Sequence, residues 1–430
     1  MYFLYSILLL IGFLLMLPMF VLRREKYASG FSQRLGNHVE FKHDDRSVIW
    51  LHCVSVGETN AARPLVDKLL DIFPAHRLVI STTTKTGQDL ARKLFTGKAH
   101  VIYFPFDWKF SVRRALSNFR PSLVLLMETE IWPRFIHDAK LTGAKIAIVN
   151  GRLSERSLGR YLHLKSFVSR VLADIDLALM QNEADAKRII EVGIDPSKVA
   201  VTGNLKFEQT PTESDIKLSE ELRRRFAISS DKPLIIAAST HEPEERYVID
   251  ALDGELGHSC RLMLVPRHPE RFDDVAKLLS STSYSHVRRS SLPSAADAGA
   301  DIILLDTIGE LRAAYPLAEI VFVGGSLIPH GGQSILEPAA EGKAIITGPH
   351  TANFDSVIKD FLENEAVVQT SKAPDDSKIS ERLYEEFMLL LEDTNRRRRL
   401  GNNAAALIRR SGQEASRRTI DHIRSLITSE

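Results

Sequence analysis

Cysteine is nearly missing: there are two in 430 residues, Cys53 and Cys260. They stand far apart among apolar neighbours, which excludes a disulfide framework and suggests a reducing compartment, with both thiols acting as small buried hydrophobes. Net charge is missing too. Lys+Arg 56 against Asp+Glu 55 leaves +1, so there is no electrostatic footprint for nucleic acid. No Gly-x-Gly-x-x-Gly follows the first apolar strand, and a dinucleotide fingerprint is therefore absent. From Tyr2 to Leu22 neither charge nor histidine occurs. What remains, 44% hydrophobic and 26% charged residues, is globular and long enough for two or three domains.

The uncharged N-terminal run is long enough to cross a bilayer core, which takes ~20 apolar residues. A cleaved signal peptide is the competitor, but there is no positive n-region and no small-residue cleavage site. Arg23, Arg24 and Lys26 follow directly, so the positive-inside rule places the bulk of the chain on the cytoplasmic side. The expectation is an uncleaved, single-pass transmembrane helix over 1–22. The segment 23–47, with Arg34, Lys42 and Arg46, rests either on anionic headgroups or in solvent as a linker.

Beyond it, short apolar runs alternate with helical patterns. Val48 to His52, Leu78 to Ser81, Val101 to Phe104, Leu123 to Met127, Ala144 to Val149, Leu177 to Met180 and Val199 to Thr202 read as strands of one parallel, doubly wound sheet. A polar, charged segment at 208–232 reads as a linker. A second set then begins at Leu234 and recurs at Arg261, Ile302, Ile320 and Ala344. The expected order is 48–207, a first Rossmann-like domain; 233–395, a second; and 396–430, a basic terminal helix with Gly412 as a possible break.

Polar residues gather at the strand exits, where open α/β sheets keep their ligands. Ser55-Val56-Gly57-Glu58 follows the first strand, although a glutamate in a first helical turn is also ordinary dipole complementation. Asp174-Ile175-Asp176 has the form of a metal motif but precedes its strand. The stretch Val321 to Phe354 carries Gly324-Gly325, Gly331-Gly332 and an expected helix of about ten residues from Ser334. It reads either as a phosphate loop, with Glu337 facing a sugar, or as a tight packing corner. Two similar halves with site-like loops suggest α/β GT-B architecture, two Rossmann-like domains with a cleft between them; two-domain dehydrogenases share that pattern.

These loops resemble, one after another, those of the bacterial 3-deoxy-D-manno-octulosonic acid (Kdo) transferases. The matching motifs are Ser-Val-Gly-Glu (55–58), Glu-Thr-Glu-Ile-Trp-Pro (128–133), Asn-Gly-Arg-Leu-Ser (150–154), Gly-Asn-Leu-Lys-Phe (203–207), Ser-Thr-His (239–241), Pro-Arg-His-Pro-Glu-Arg (266–271), Asp-Thr-Ile-Gly-Glu-Leu (306–311), Gly-Gly-Ser (324–326) and Leu-Glu-Pro-Ala (336–339). The resemblance implies inverting, metal-independent transfer of Kdo from CMP-Kdo to the glucosamine disaccharide of a lipid A precursor, lipid IVA, at the cytoplasmic face of the inner membrane. No cofactor is implied. The first domain would take the acceptor and the second CMP-Kdo. Glu58 matches the general base, and Glu128 and Lys206 a charge-stabilising pair, in which Glu128 either orients Lys206 or supports the anomeric carbon. Arg267, His268, Gly309, Glu310, Leu311, Ser334, Ile335, Leu336 and Glu337 match the CMP site. One departure stands out: Gln333-Ser334-Ile335 replaces the family's His-Asn-Pro, leaving Ser334 to cap the helix and giving up an N1 proline. The rivals are a nucleotide-sugar 2-epimerase of related architecture and a tethered binding protein without catalysis.

Overall fold

The computed structural model describes residues 2–22, 29–207, 213–229 and 231–428, with the side chains of residues 3, 16–22 and 377 outside that description. Strand runs made wholly of apolar residues bury both faces, which only a parallel sheet covered by helices can satisfy. The first unit builds one such sheet from β1 (Ser47–Cys53), β2 (His76–Thr82), β3 (His100–Tyr103), β4 (Leu123–Met127), β5 (Lys145–Gly151), β6 (Leu177–Met180) and β7 (Val199–Val201). Their spatial order is β3-β2-β1-β4-β5-β6-β7, and every pairing is parallel. Trp50, Val124 and Ile146 look to one helix layer, Leu51, Leu125 and Ala147 to the other.

The second unit repeats the plan with β8 (Leu234–Thr240), β9 (Arg261–Pro266), β10 (His286–Arg288), β11 (Ile302–Leu304), β12 (Ile320–Val323), β13 (Ala344–Thr347) and β14 (Val368–Gln369). The order is β10-β11-β9-β8-β12-β13-β14, again parallel throughout. Contacts divide the chain into 1–208 with 411–430, and 209–410. The terminal helix Thr394–Thr428 runs through Gly412 without a break. Its Leu400 packs into the second unit's core and its Ala415, Ile420 and Ile423 into the first's, so burial on both sides of the glycine outweighs the ~1 kcal/mol glycine costs a helix.

Four expectations change. Part of the linker 208–232 is the helix Glu213–Arg225, whose Leu222 is buried and whose Arg225 pairs with Asp297 at 2.8 Å, and Phe226 and Ile228 after it are buried too; residues 208–212 and 230 lie outside the described residues. The segment 29–47 is not a free linker. Phe41 is in the core, and buried Arg34 holds its guanidinium 4.6 Å from the Tyr103 ring centre. Helices at Glu155–His163 and Lys165–Ala173, and the short edge strands β10 and β14, were not expected.

The N-terminal run is helical over Tyr2–Leu22. Among the described residues no helix is long and apolar enough to cross a membrane. The first turns lie on the first unit, where Tyr2 stacks on His137, the Tyr5 hydroxyl donates to Asp107 at 2.7 Å and Phe13 meets Trp108. Leu4, Leu8, Leu14 and Leu15 face outward, exposed.

Candidate functional site

In the first unit the chain order reverses between β1 and β4, and an open sheet has its crevice at such a reversal. Glu58 enters from one side, in the first turn of the helix Val56–Ile72, and Glu128 from the other, directly after β4. The Glu58 carboxylate is buried. Its Oε2 accepts the Val54 N–H at 2.7 Å and its Oε1 the Ser55 hydroxyl at 3.0 Å, so both oxygens are aimed before any substrate arrives. Burial lifts its pKa to about 7. The neighbouring carboxylates Glu128 and Glu130 push the same way, against the bonds from Val54 and Ser55. A base poised near neutrality takes up a proton and releases it readily.

Glu128 occupies left-handed backbone, φ 55°, an arrangement costly for a side chain bearing Cβ and one that marks functional turns. Its Oε1 lies 2.5 Å from Lys206 Nζ. Lys206 comes from the one-turn helix Leu205–Phe207 after β7. Asn150, also left-handed at φ 56°, holds that turn by accepting the Leu205 N–H on Oδ1 at 2.9 Å. The structure therefore brings together all three residues expected to do chemistry. It adds Asn150 and Glu130, whose roles sequence reasoning missed although both stood inside recognised motifs.

The Asp174–Asp176 pair is structural. Asp174 meets His137 at 3.1 Å, and Asp176 meets Lys140 at 2.6 Å and the Ile146 N–H at 2.8 Å. Those partners tie the start of β6 to the helix Pro133–Leu141 and to β5.

In the second unit the reversal falls between β8 and β12. Arg267 and His268 leave β9 with exposed side chains, and the Arg267 N–H donates to Thr240 O at 2.9 Å. Gly309 takes φ 88°, and the Glu310 carboxylate is held by Arg289 at 2.7 Å, so that carboxylate is already paired. Leu311 begins a helical turn, Leu311–Ala314. Glu337 is half-buried; burial raises its pKa and Arg312 opposes the shift.

The glycine-rich stretch departs from expectation. The helix expected from Ser334 is only Leu336–Ala340, followed by Gly342 at φ 65°, and one turn carries little dipole. Ile335 occupies the cap position, while exposed Ser334 accepts the Leu336 N–H at 3.4 Å. Ile335 and Leu336 side chains are buried, which leaves only their backbone for a ligand. The N–H groups of Gly325, Ser326 and Leu327 are also taken. Buried Glu244 accepts from Gly325 (2.6 Å) and His241 (3.0 Å) on Oε2, and from Ser326 (3.0 Å) and Leu327 (2.9 Å) on Oε1. A carboxylate of the chain itself fills the anion nest that a phosphate would have used. Gly324 is required because a Cβ there would come within 2.8 Å of Glu244 Oε2. Gly324-Gly325 is thus the packing corner, and Glu244 is its clasp.

The family profile of 3-deoxy-D-manno-octulosonic-acid transferase (kdotransferase) matches residues 29–209. The 3-deoxy-D-manno-octulosonic acid transferase of Haemophilus influenzae is 34% identical over 354 residues, 81% of this chain and 82% of that one. This chain belongs to the Kdo transferase family. It is a glycosyltransferase. The fold alone would not have decided this. A Rickettsia africae glycosyltransferase superposes with a TM-score of 0.61 at 14% identity, over 90% of this chain and 100% of that one. The UDP-GlcNAc 2-epimerase of Neisseria meningitidis reaches 0.60 at 15% identity, over 88% and 100%. Transferase and epimerase share the two parallel Rossmann-like sheets; sequence separates them.

Proposed function

We propose that this Kdo transferase moves Kdo from CMP-Kdo to the glucosamine disaccharide of a lipid A precursor in lipopolysaccharide synthesis, inverting the anomeric centre and using no metal. The observation that carries the chemistry is the Glu58 carboxylate, pre-aimed by Val54 and Ser55 and raised to about 7 by burial.

In this reading Glu58 takes the proton of the acceptor hydroxyl as its oxygen attacks the anomeric carbon. The bond from that carbon to the CMP phosphate breaks, and the electron pair leaves with CMP. Charge therefore grows on the departing phosphate, and Lys206 is the cation to offset it, held in place by Glu128 and, through Leu205, by Asn150. Arg267 clamps phosphate as a fork of donors, and Glu337 accepts from ribose. Glu310, paired with Arg289, contributes with Gly309 and Leu311 through backbone. The outward apolar face of the N-terminal helix, Leu4, Leu8, Leu14 and Leu15, anchors the enzyme on the inner membrane, where its lipid acceptor lies.

The test is incubation of purified protein with CMP-Kdo and a tetra-acylated lipid A precursor, followed by mass spectrometry. The acceptor should gain the mass of one or more Kdo residues while CMP appears. An unchanged acceptor would refute the reading, and EDTA treatment in the same assay tests the metal-free step.

A further inference from the structure

Three imidazoles and a guanidinium gather at the exits of β8, β9 and β12. The His241 ring lies 5.2 Å from that of His268, edge to face, and 4.7 Å from that of His330, tilted by 36°. Arg267 precedes His268 and its charge reaches His241. His241 is buried, 8% exposed, whereas Arg267, His268 and His330 are exposed. One imidazole thus forms a floor under an exposed rim of Arg267, His268 and His330. His241 Nδ1 has no hydrogen-bond partner, although a buried polar atom ordinarily has one.

The acids nearby do not discharge the cluster. Glu244 lies 4.0 Å from His241 Nδ1 but spends its carboxylate on four backbone N–H groups. Glu245 and Glu242 face Arg271, at 2.9 Å and 3.6 Å. Glu270 reaches only 3.9 Å from His268 and is largely exposed. Burial, with repulsion from His330, His268 and Arg267, accordingly holds His241 down to about 4, against a bond to Ser239 that acts the other way.

We propose that His241 and His330, together with Arg267 and His268, form the subsite for the carboxylate of the donor sugar. The proposal rests on the CMP-Kdo reading. A phosphodiester carries one negative charge, which Arg267 with His268 can meet. The donor of a 2-ulosonic acid bears a second, a carboxylate on the same anomeric carbon that holds the phosphate. Three exposed donors, Arg267, His268 and His330, stand over the buried His241 ring and match two adjacent anions.

The test uses His241→Asn and His330→Ala in the full chain. Two constants are measured: KM for CMP-Kdo formed in situ, and Ki for CMP methyl ester, a phosphodiester without the carboxylate. Donor KM should rise at least about tenfold, the loss of one hydrogen bond to a charged group, while Ki stays within about twofold. An unchanged KM overturns the subsite. So does a parallel rise of KM and Ki, which would put the cluster on the phosphate. His330 is exposed, so its variant keeps the test decisive should the buried His241 variant melt early. A wild-type enzyme that neither transfers Kdo nor binds the ester would refute the CMP-Kdo reading and the subsite with it; normal wild-type kinetics with unmoved variants refute the subsite only.

Discussion

Lys206 Nζ lies 2.5 Å from Glu128 Oε1, and the Glu128 carboxylate is one of the charges that, after burial, raise the pKa of Glu58. Glu128 raises the Glu58 pKa through its charge, and Lys206 neutralises part of that charge. Opposite variants should therefore move the same pKa in opposite directions.

Glu128→Gln should shift the acid limb of the kcat/KM profile below its wild-type position near pH 7, and Lys206→Met should shift it above. Each should also lower kcat by roughly 10²-fold or more, because a charge aimed at the transition state is lost or set free. Profiles of kcat/KM for the acceptor, recorded at subsaturating acceptor, read the shift in the free enzyme. Limbs that stay put would show that another group is the base.

Asn150→Ala removes the acceptor of the Leu205 N–H and places alanine at φ 56°. The expected cost is about 2–4 kcal/mol, one buried donor left unpaired plus left-handed strain. Asn150→Asp keeps the acceptor and should restore much of it. Thermal melts of both, alongside kcat, check that Asn150 acts through the Lys206 turn.

Glu58 also carries a stability signature. Its folded pKa, about 7, lies above its ordinary value of 4.5. The carboxyl therefore favours the folded state below about pH 4.5, and that advantage is lost as pH rises through about 7. Glu58→Gln is neutral throughout, and its amide can still accept from Val54 and donate to Ser55. It should be the more stable protein by on the order of 1–3 kcal/mol near pH 8, with the gap closing near pH 4. Melting curves with the same gap at both pH values would contradict the raised pKa.

The sheets were readable because their strands are continuous apolar runs; Leu123–Met127 is buried at all five positions and its bounds were recovered without error. The strands β10 and β14 escaped because three and two residues at a sheet edge carry no period. The helix Glu213–Arg225 looked like a linker because charge dominates it and only Ser219 and Leu222 are buried. Glu58, Glu128 and Lys206 were legible through motif order rather than chemistry, for charged residues at strand exits are common. Glu244 was not legible at all. Nothing in Thr-His-Glu-Pro-Glu says that one glutamate will turn inward to clasp a glycine loop some eighty residues later, since that contact exists only once β8 and β12 are neighbours.

Metal independence has its own check. With Lys206 as the cation at the departing phosphate, dialysis against EDTA should leave the initial transfer rate within about twofold. A loss of rate that Mg²⁺ restores would contradict it.

The most direct measurement is the single-turnover rate of Kdo transfer by Glu58→Gln beside the wild type, with CMP methyl ester Ki measured on both. The account predicts at least about a 10²-fold loss of rate, the contribution of a positioned base, with Ki and fold unchanged. A variant that transfers Kdo at a rate close to wild type would contradict it.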